Sequence, residues 1–407
     1  MLIFSNKSKL SHLVFLFSIT VTILAIIPAL FPALYTSTNQ QSFIAQFITE
    51  NAINPFELGI FFIPIIVTWI ATIVFFVVIK LKSIKIRSID LPKKYSIIAM
   101  VIILSVFTIL SYDDVISEDK HKDWLLVKNA VENWPPEEGW GFNLHVRFFM
   151  LSSSLLVFGN YRVIPFLASA ALLVTTYLFA NKITNNRFAG VIATAIILQS
   201  NLFLSYSSTP SYTVFWILFY LVSLYLTVHK TWFLSPVAYI ASLFSKPLTI
   251  TFIPISIFFM LDAEISVKKK IILVLVMLTI IIVGVTTLDT HTTDEGWNWN
   301  GFWNGFVSIA YQLRFDGFVV VFLIPTIIGL YVISKNNRYA NSVSIMISGV
   351  IISNPILLAM TDITSQPYRF IPLLVFLAIG IGMILTRKKE PEDIQKIKRV
   401  SKNSKRL

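Results

Sequence analysis

Seventeen residues from Tyr95 to Ser111, YSIIAMVIILSVFTILS, pass without one charged side chain, and comparable runs recur along the whole chain. A run of this kind is either wrapped by protein on every side or set as a helix in a bilayer, whose hydrocarbon core asks for about 20 such residues. The chain has too many of them for protein wrapping to serve all. Of its 407 residues 56% are hydrophobic and 13% charged, roughly half the ~25% charge of an ordinary soluble chain. The fold class expected is therefore all-α, a polytopic membrane protein.

Twelve spans are expected, over 12–34, 57–80, 95–111, 161–180, 188–205, 212–229, 231–245, 247–261, 271–288, 316–333, 340–360 and 369–386. The seventh and eighth are short and joined only by SKP, which predicts tilted or half-buried segments. Val146 to Phe158 is apolar but too short to cross, which predicts a helix in the outer interface. The first run follows a basic start, as a signal peptide does. It is too long for a typical signal core and no small-x-small site follows, so it reads as a retained first helix. Residues 1–386 form the membrane domain, and 387–407 are a basic tail that lies on anionic lipid or is solvated.

The net charge of +12 is read as topology. With the N-terminus in the cytoplasm and the spans alternating, the inner segments hold 25 basic residues against 6 acids, and the outer segments 8 against 15. This is the positive-inside pattern, and it leaves no basic surface for nucleic acid. The absence of cysteine excludes disulfides and thiolate chemistry.

The span interiors hold essentially no Asp, Glu, Lys or Arg, which argues against ion-coupled transport. Polar groups gather instead in two long outer loops, about 112–160 and 289–315, and in short outer turns. Five acids fall between Asp113 and Asp123. From Asp119, the residues Trp124, Val127, Val131 and Trp134 recur at helical spacing, which predicts an interfacial amphipathic helix. A solvated acidic loop accounts for each acid singly; their grouping beside a helix end points to a site, with Asp119, Asp113 and Asp114 as candidate bases. Three outer cations, Lys246, Arg369 and Arg147, suit a lipid-linked phosphate, although snorkelling to headgroups also explains them. The second loop, DTHTTDEGWNWNGFWNGF, sets Trp297 and Trp299 among Asn and Gly, after Asp294 and Glu295. An interfacial tryptophan belt explains these rings; a platform for a sugar ring explains them too.

In order along the chain, these segments resemble the GT-C glycosyltransferase superfamily, closest to the dolichyl-phosphate-mannose protein mannosyltransferase and aminoarabinose transferase branch. The resemblance covers about Asp113 to Phe259, with an echo in YRFIPLLVFLAIGIG. EDKHKDWLLVKN sets Asp119 at the family's acid position by its spacing to Lys128 and Asn129. In FNLHVRFFMLSSSLLVFGNYRV, His145 and Arg162 match the His-Pro-Pro-Leu helix and the Gly-x-x-Arg span, and ASLFSKPLTI fixes Lys246 at the family's lysine turn. The chain departs from the pattern in reading Glu118-Asp119 for Asp-Glu, in lacking the two prolines after His145 and the second acid near Ser211, and in two extra leading spans. The resemblance implies transfer of a sugar from a polyprenyl-phosphate donor to a hydroxyl of a lipid, protein or glycan acceptor at the outer face, inverting the anomeric centre. Asp119 is then the base, with Asp113 and Asp114 as rivals. Lys246, Arg369 and Arg147 bind the donor phosphate, and His145, Trp297, Trp299, Asp294 and Glu295 bind sugar or acceptor. Lys and Arg neutralise a monophosphate leaving group, so no cofactor is required; a divalent metal is compatible but nothing indicates one. A flippase for lipid-linked sugars and a catalytically silent subunit are the alternatives.

The chain's lack of cysteine makes the topology directly testable. A cysteine introduced at position 120 should react with an impermeant thiol reagent on intact cells. One introduced at position 85 should react only after permeabilisation, and the reverse pattern would invert the orientation.

Overall fold

The computed structural model describes residues 7–31, 62–82, 90–117, 145–209, 213–287, 297–313, 316–360 and 367–386. All regular structure among them is helical. In chain order the α-helices are α1 (Lys7–Leu30), α2 (Phe62–Lys82), α3 (Lys93–Ile116), α4 (His145–Phe158), α5 (Val163–Thr184), α6 (Arg187–Leu198), α7 (Asn201–Tyr206) and α8 (Thr213–Thr227). There follow α9 (Ser235–Ser245), α10 (Ile253–Asp262), α11 (Val267–Thr287), α12 (Trp299–Leu313), α13 (Gly317–Ile333), α14 (Tyr339–Met360) and α15 (Ile371–Leu385). Short 3₁₀ turns, Trp232–Leu234, Pro247–Phe252 and Pro367–Phe370, precede α9, α10 and α15.

The molecule is built around α15. Its sequence, IPLLVFLAIGIGMIL, has no polar face, and Ile371 to Gly380, Gly382 and Met383 are all buried. A helix apolar on every side is stable only when enclosed, and α5, α6, α8, α13 and α14 pack around it. The closest approach is at Gly382, where a Cβ would lie 2.5 Å from the Ala189 carbonyl oxygen of α6. The outer helices keep apolar faces outward: Leu13 of α1, Ile63 of α2, Ile109 of α3 and Ile282 of α11 are 65–73% exposed. So much outward apolar surface marks a lipid-facing protein. Among the described residues four helices are long and apolar enough to cross a membrane, over Lys9–Pro28, Lys93–Ile116, Val163–Thr184 and Tyr339–Met360. The chain is an all-α membrane protein.

Helix α1 belongs to the bundle. Asn341 Nδ2 donates to Ser11 Oγ at 3.0 Å, and Ser344 Oγ to Ser18 Oγ at 3.0 Å, so α1 and α14 run parallel. Hydroxyl and amide pairs of this kind join helices where the surroundings offer no hydrophobic drive between them.

Three expected segments take a different form. The span expected over 188–205 breaks into α6 and α7 at Gln199 and Ser200. The third runs five residues further than expected, so Asp113 and Asp114 stand in the last turn of α3. The loop expected over 289–315 contains α12, a packed helix with Phe306, Ser308 and Ile309 almost fully buried. Asn298 caps it, accepting from the Gly301 N–H at 3.0 Å. Gly301 and Gly305 bring it onto α14, and a Cβ at Gly305 would fall 2.3 Å from Pro355 Cα. This is the small-xxx-small contact of membrane helices. The short seventh and eighth segments and the Val146–Phe158 run are helical, as α9, α10 (after the Pro247–Phe252 turn) and α4.

Gly305→Ala should cost about 1–3 kcal/mol through overpacking against backbone that cannot yield, read as a lower melting temperature in detergent. Asn300→Ala, on the exposed face of the same helix, should melt like wild type. Equal melting of the two variants would remove the close α12–α14 contact.

Candidate functional site

One end of the bundle gathers most of the polar residues singled out by sequence. The C-terminal turn of α3 arrives there with Asp113 and Asp114, both exposed. A helix end leaves carbonyls without partners, and the turn from Gly159 to Arg162 supplies them. Asn160 Nδ2 donates to the Val115 carbonyl at 2.9 Å. Arg162 Nη1 donates to the Asp114 carbonyl and, at 3.1 Å, to Ser117 Oγ. Gly159 makes the turn at φ 66°, a conformation that glycine adopts at little cost. Arg162 thus ties α3 to α5, and the two carboxylates are left facing outward.

Helix α4 lies across this end. Phe148 and Leu151 pack on Ala168 of α5 and on Val214 and Phe215 at the start of α8, while Phe149, Leu156 and Val157 are 69–84% exposed. An apolar face outward and another inward suit a helix seated in the interface. Arg147, in its first turn, is buried. Helix α4 also packs on α9, which ends at Lys246.

Lys246 is the C-cap of α9, in extended conformation at φ −158°, ψ 116°. The following proline starts the next turn, and a residue before proline favours this region. Its backbone is fixed from both sides, by its N–H to Ser242 O and by Thr249 N–H to its carbonyl, each 3.0 Å. Ser242 Oγ in turn donates to Trp216 O at 2.7 Å. The residue is 9% exposed and its Nζ is shielded from water.

The break between α6 and α7 is the junction of the rim. Ser200 Oγ accepts from Phe203 N–H at 3.2 Å and donates to Asp316 Oδ2 at 2.5 Å. Asp316 Oδ1 accepts from Val319 N–H at 3.4 Å, capping α13. Ser207 meets Ser111 of α3 at 3.3 Å through its hydroxyl, and its carbonyl accepts from Ser169 Oγ of α5 at 2.5 Å. The Pro367–Phe370 turn packs against α7, α12 and α15. It carries Arg369, whose Nε and Nη1 are enclosed without a hydrogen-bond acceptor among the described residues.

Trp297 and Trp299 stand at the start of α12, 44% and 63% exposed, with rings 5.5 Å apart edge to face. Trp303, one turn on, is 46% exposed. The glycines of α12 thus face inward and its indoles outward. His145 is the first residue of α4, its side chain outside the described set; Asp119, Asp294, Glu295 and Ser211 lie outside the described residues. So does the helix expected from Asp119 to Trp134. Among the described residues no three His, Asp or Glu side chains gather as a metal would require.

The fold therefore brings Asp113, Asp114, Arg147, Lys246, Arg369 and the α12 indoles to one end on separate elements. Sequence reasoning missed Asp316 and Ser200. Asp316-Gly317 before an apolar run is an N-cap signature, but its partner lies 116 positions away. No family model, curated protein or solved structure matches the chain.

The Ser200–Asp316 hydrogen bond should appear as a coupling of about 1 kcal/mol in a double-mutant cycle of Ser200→Ala and Asp316→Ala. Melting of the four proteins in detergent measures it. Additive losses would mean that the two residues act separately.

Proposed function

We propose that the protein is a glycosyltransferase that moves a sugar from a polyprenyl-phosphate donor to an acceptor hydroxyl at the outer membrane face. The observation that carries this reading is the Arg369 guanidinium in the Pro367–Phe370 turn, whose Nε and Nη1 are enclosed without an acceptor among the described residues. An enclosed charge without a partner costs several kcal/mol, and a bound anion offsets that cost. A phosphate on a polyprenyl chain has the right charge, and its lipid can approach from the bilayer. The resemblance of the loop motifs to GT-C enzymes supports the same chemistry.

In this reaction a loop carboxylate takes the proton of the acceptor hydroxyl. The hydroxyl oxygen bonds to the anomeric carbon as the bond from that carbon to the phosphate oxygen breaks. The electron pair leaves on the lipid phosphate, whose charge Arg369, Lys246 and Arg147 stabilise. Asp119 is the base by its spacing to Lys128 and Asn129. Asp113 and Asp114, exposed on the last turn of α3, supply a second carboxylate near the same rim. Trp297 and Trp299 offer apolar faces to a pyranose ring, with Asp294, Glu295 and His145 as hydrogen-bonding partners.

Purified protein with a polyprenyl-phosphate hexose should transfer the sugar. Asp119→Asn should lose at least ~10²-fold in turnover, the low end for removal of a general base. Asp113→Asn and Asp114→Asn should lose less. A dead Asp113 or Asp114 variant beside a normal Asp119→Asn would move the base onto α3. No turnover by wild type, with lipid-linked sugar crossing protein-loaded vesicles, would favour the flippase; no turnover and no crossing, the silent subunit.

A further inference from the structure

The start of α1, away from the acid-bearing rim, carries a feature that sugar transfer does not use. A groove of about 930 Å³ opens along α1 from Lys9 to Val21. Lys9, His12, Leu13, Leu16, Phe17 and Thr20 line it, and their three- and four-residue steps place them on one stripe of the helix. All six are exposed, Leu13 and Leu16 at 66% and 62%. The groove has a firm backing. The opposite face of α1 is bonded to α14 through Ser11 and Ser18. The Phe15 ring stacks on Tyr331 of α13 at 4.4 Å, and His12 meets the same ring edge to face at 5.5 Å.

The chemistry of the stripe is polarised. Lys9 and His12 sit at its start, and the rest is apolar except for Thr20. The turn between α13 and α14 adds Lys335 and Arg338 at this end, because Asn341 is bonded to Ser11, while Asp262, which accepts from Ser342, and Glu264, at Tyr339, stand on the far side of α14 beside Arg338. Twelve residues of helix rise about 18 Å, slightly more than half of a ~30 Å hydrocarbon core. The groove is therefore about as long as one leaflet is deep, with Lys9 and His12 at its head and an apolar stripe below.

We propose that this groove binds an anionic phospholipid, its phosphate at Lys9 and His12 and one acyl chain along Leu13, Leu16 and Phe17. The proposal rests on the membrane setting of the chain and not on the transfer reaction.

The test is native mass spectrometry of the full chain in mild detergent, titrated with phosphatidylglycerol and phosphatidylcholine of the same acyl composition. Wild type should retain the anionic lipid roughly fivefold more strongly, the order given by one lysine at an anionic headgroup. The double variant Lys9→Gln/His12→Gln removes the lysine charge and the His12–Tyr331 ring contact, leaves the Ser11 and Ser18 bonds to α14 in place, and should bring the two lipids to parity. Leu16→Trp, which obstructs the channel and leaves the charges in place, should lower the occupancy of both. Equal retention by wild type, or a preference that persists in the double variant, would overturn the proposal. So would displacement of the anionic phospholipid by a polyprenyl phosphate in a manner sensitive to Leu16→Trp.

Discussion

Twelve side chains or glycines of α15 are buried on all sides of one helix, and the positions of its neighbours follow from enclosing it. Five helices meet around an axis that offers only apolar contact, so shape decides how near each can come. At Gly382 the α6 backbone enters the space of a missing side chain. The turn that begins this axis carries Arg369. Its place at the rim is thus inherited from the packing of the deepest helix.

Many buried hydroxyls bond to carbonyls of their own helix, and a few join one helix to another. Serines link α1 to α14, and Ser111, Ser169 and Ser207 join α3, α5 and the end of α7. Ser200 and Asp316 join the α6–α7 break to the start of α13. Such pairs fix helix ends relative to one another where apolar contact alone would let them slide. Those at Ser111, Ser169, Ser207, Ser200 and Asp316 frame the acid-bearing rim, and Asp113 and Asp114 stand on it exposed. Positioned carboxylates on a rigid frame are what proton removal in a transfer reaction needs.

Helices α1, α3, α5 and α14 were legible because an uninterrupted apolar run has few other homes. The α6–α7 break was not, since Gln199 and Ser200 interrupt a run by only two residues and the acid that holds the break is distant in sequence. Helix α12 was hidden by composition: Trp, Asn and Gly together read as loop. Yet Gly301 and Gly305 stand four apart, as do Trp299 and Trp303, and these two stripes mark a helix with a close-packed face and an aromatic one. Arg369, Lys246 and Arg147 were visible as scarce cations at segment ends. That all three are partly or wholly buried depends on neighbours that no local pattern reveals.

On the proposed reading, the enclosed cations, outward carboxylates and exposed indoles at one end serve an anionic, lipid-linked donor, and its phosphate is the group the cations would recognise. The most direct measurement is the affinity of the purified wild-type protein for a polyprenyl monophosphate and for the corresponding polyprenol, which has the same chain and no charge. Tighter binding of the phosphate by at least roughly tenfold, about 1.4 kcal/mol, lost in Arg369→Gln, is the predicted result. Equal affinity for the two lipids, or a phosphate preference unchanged in Arg369→Gln, would contradict it.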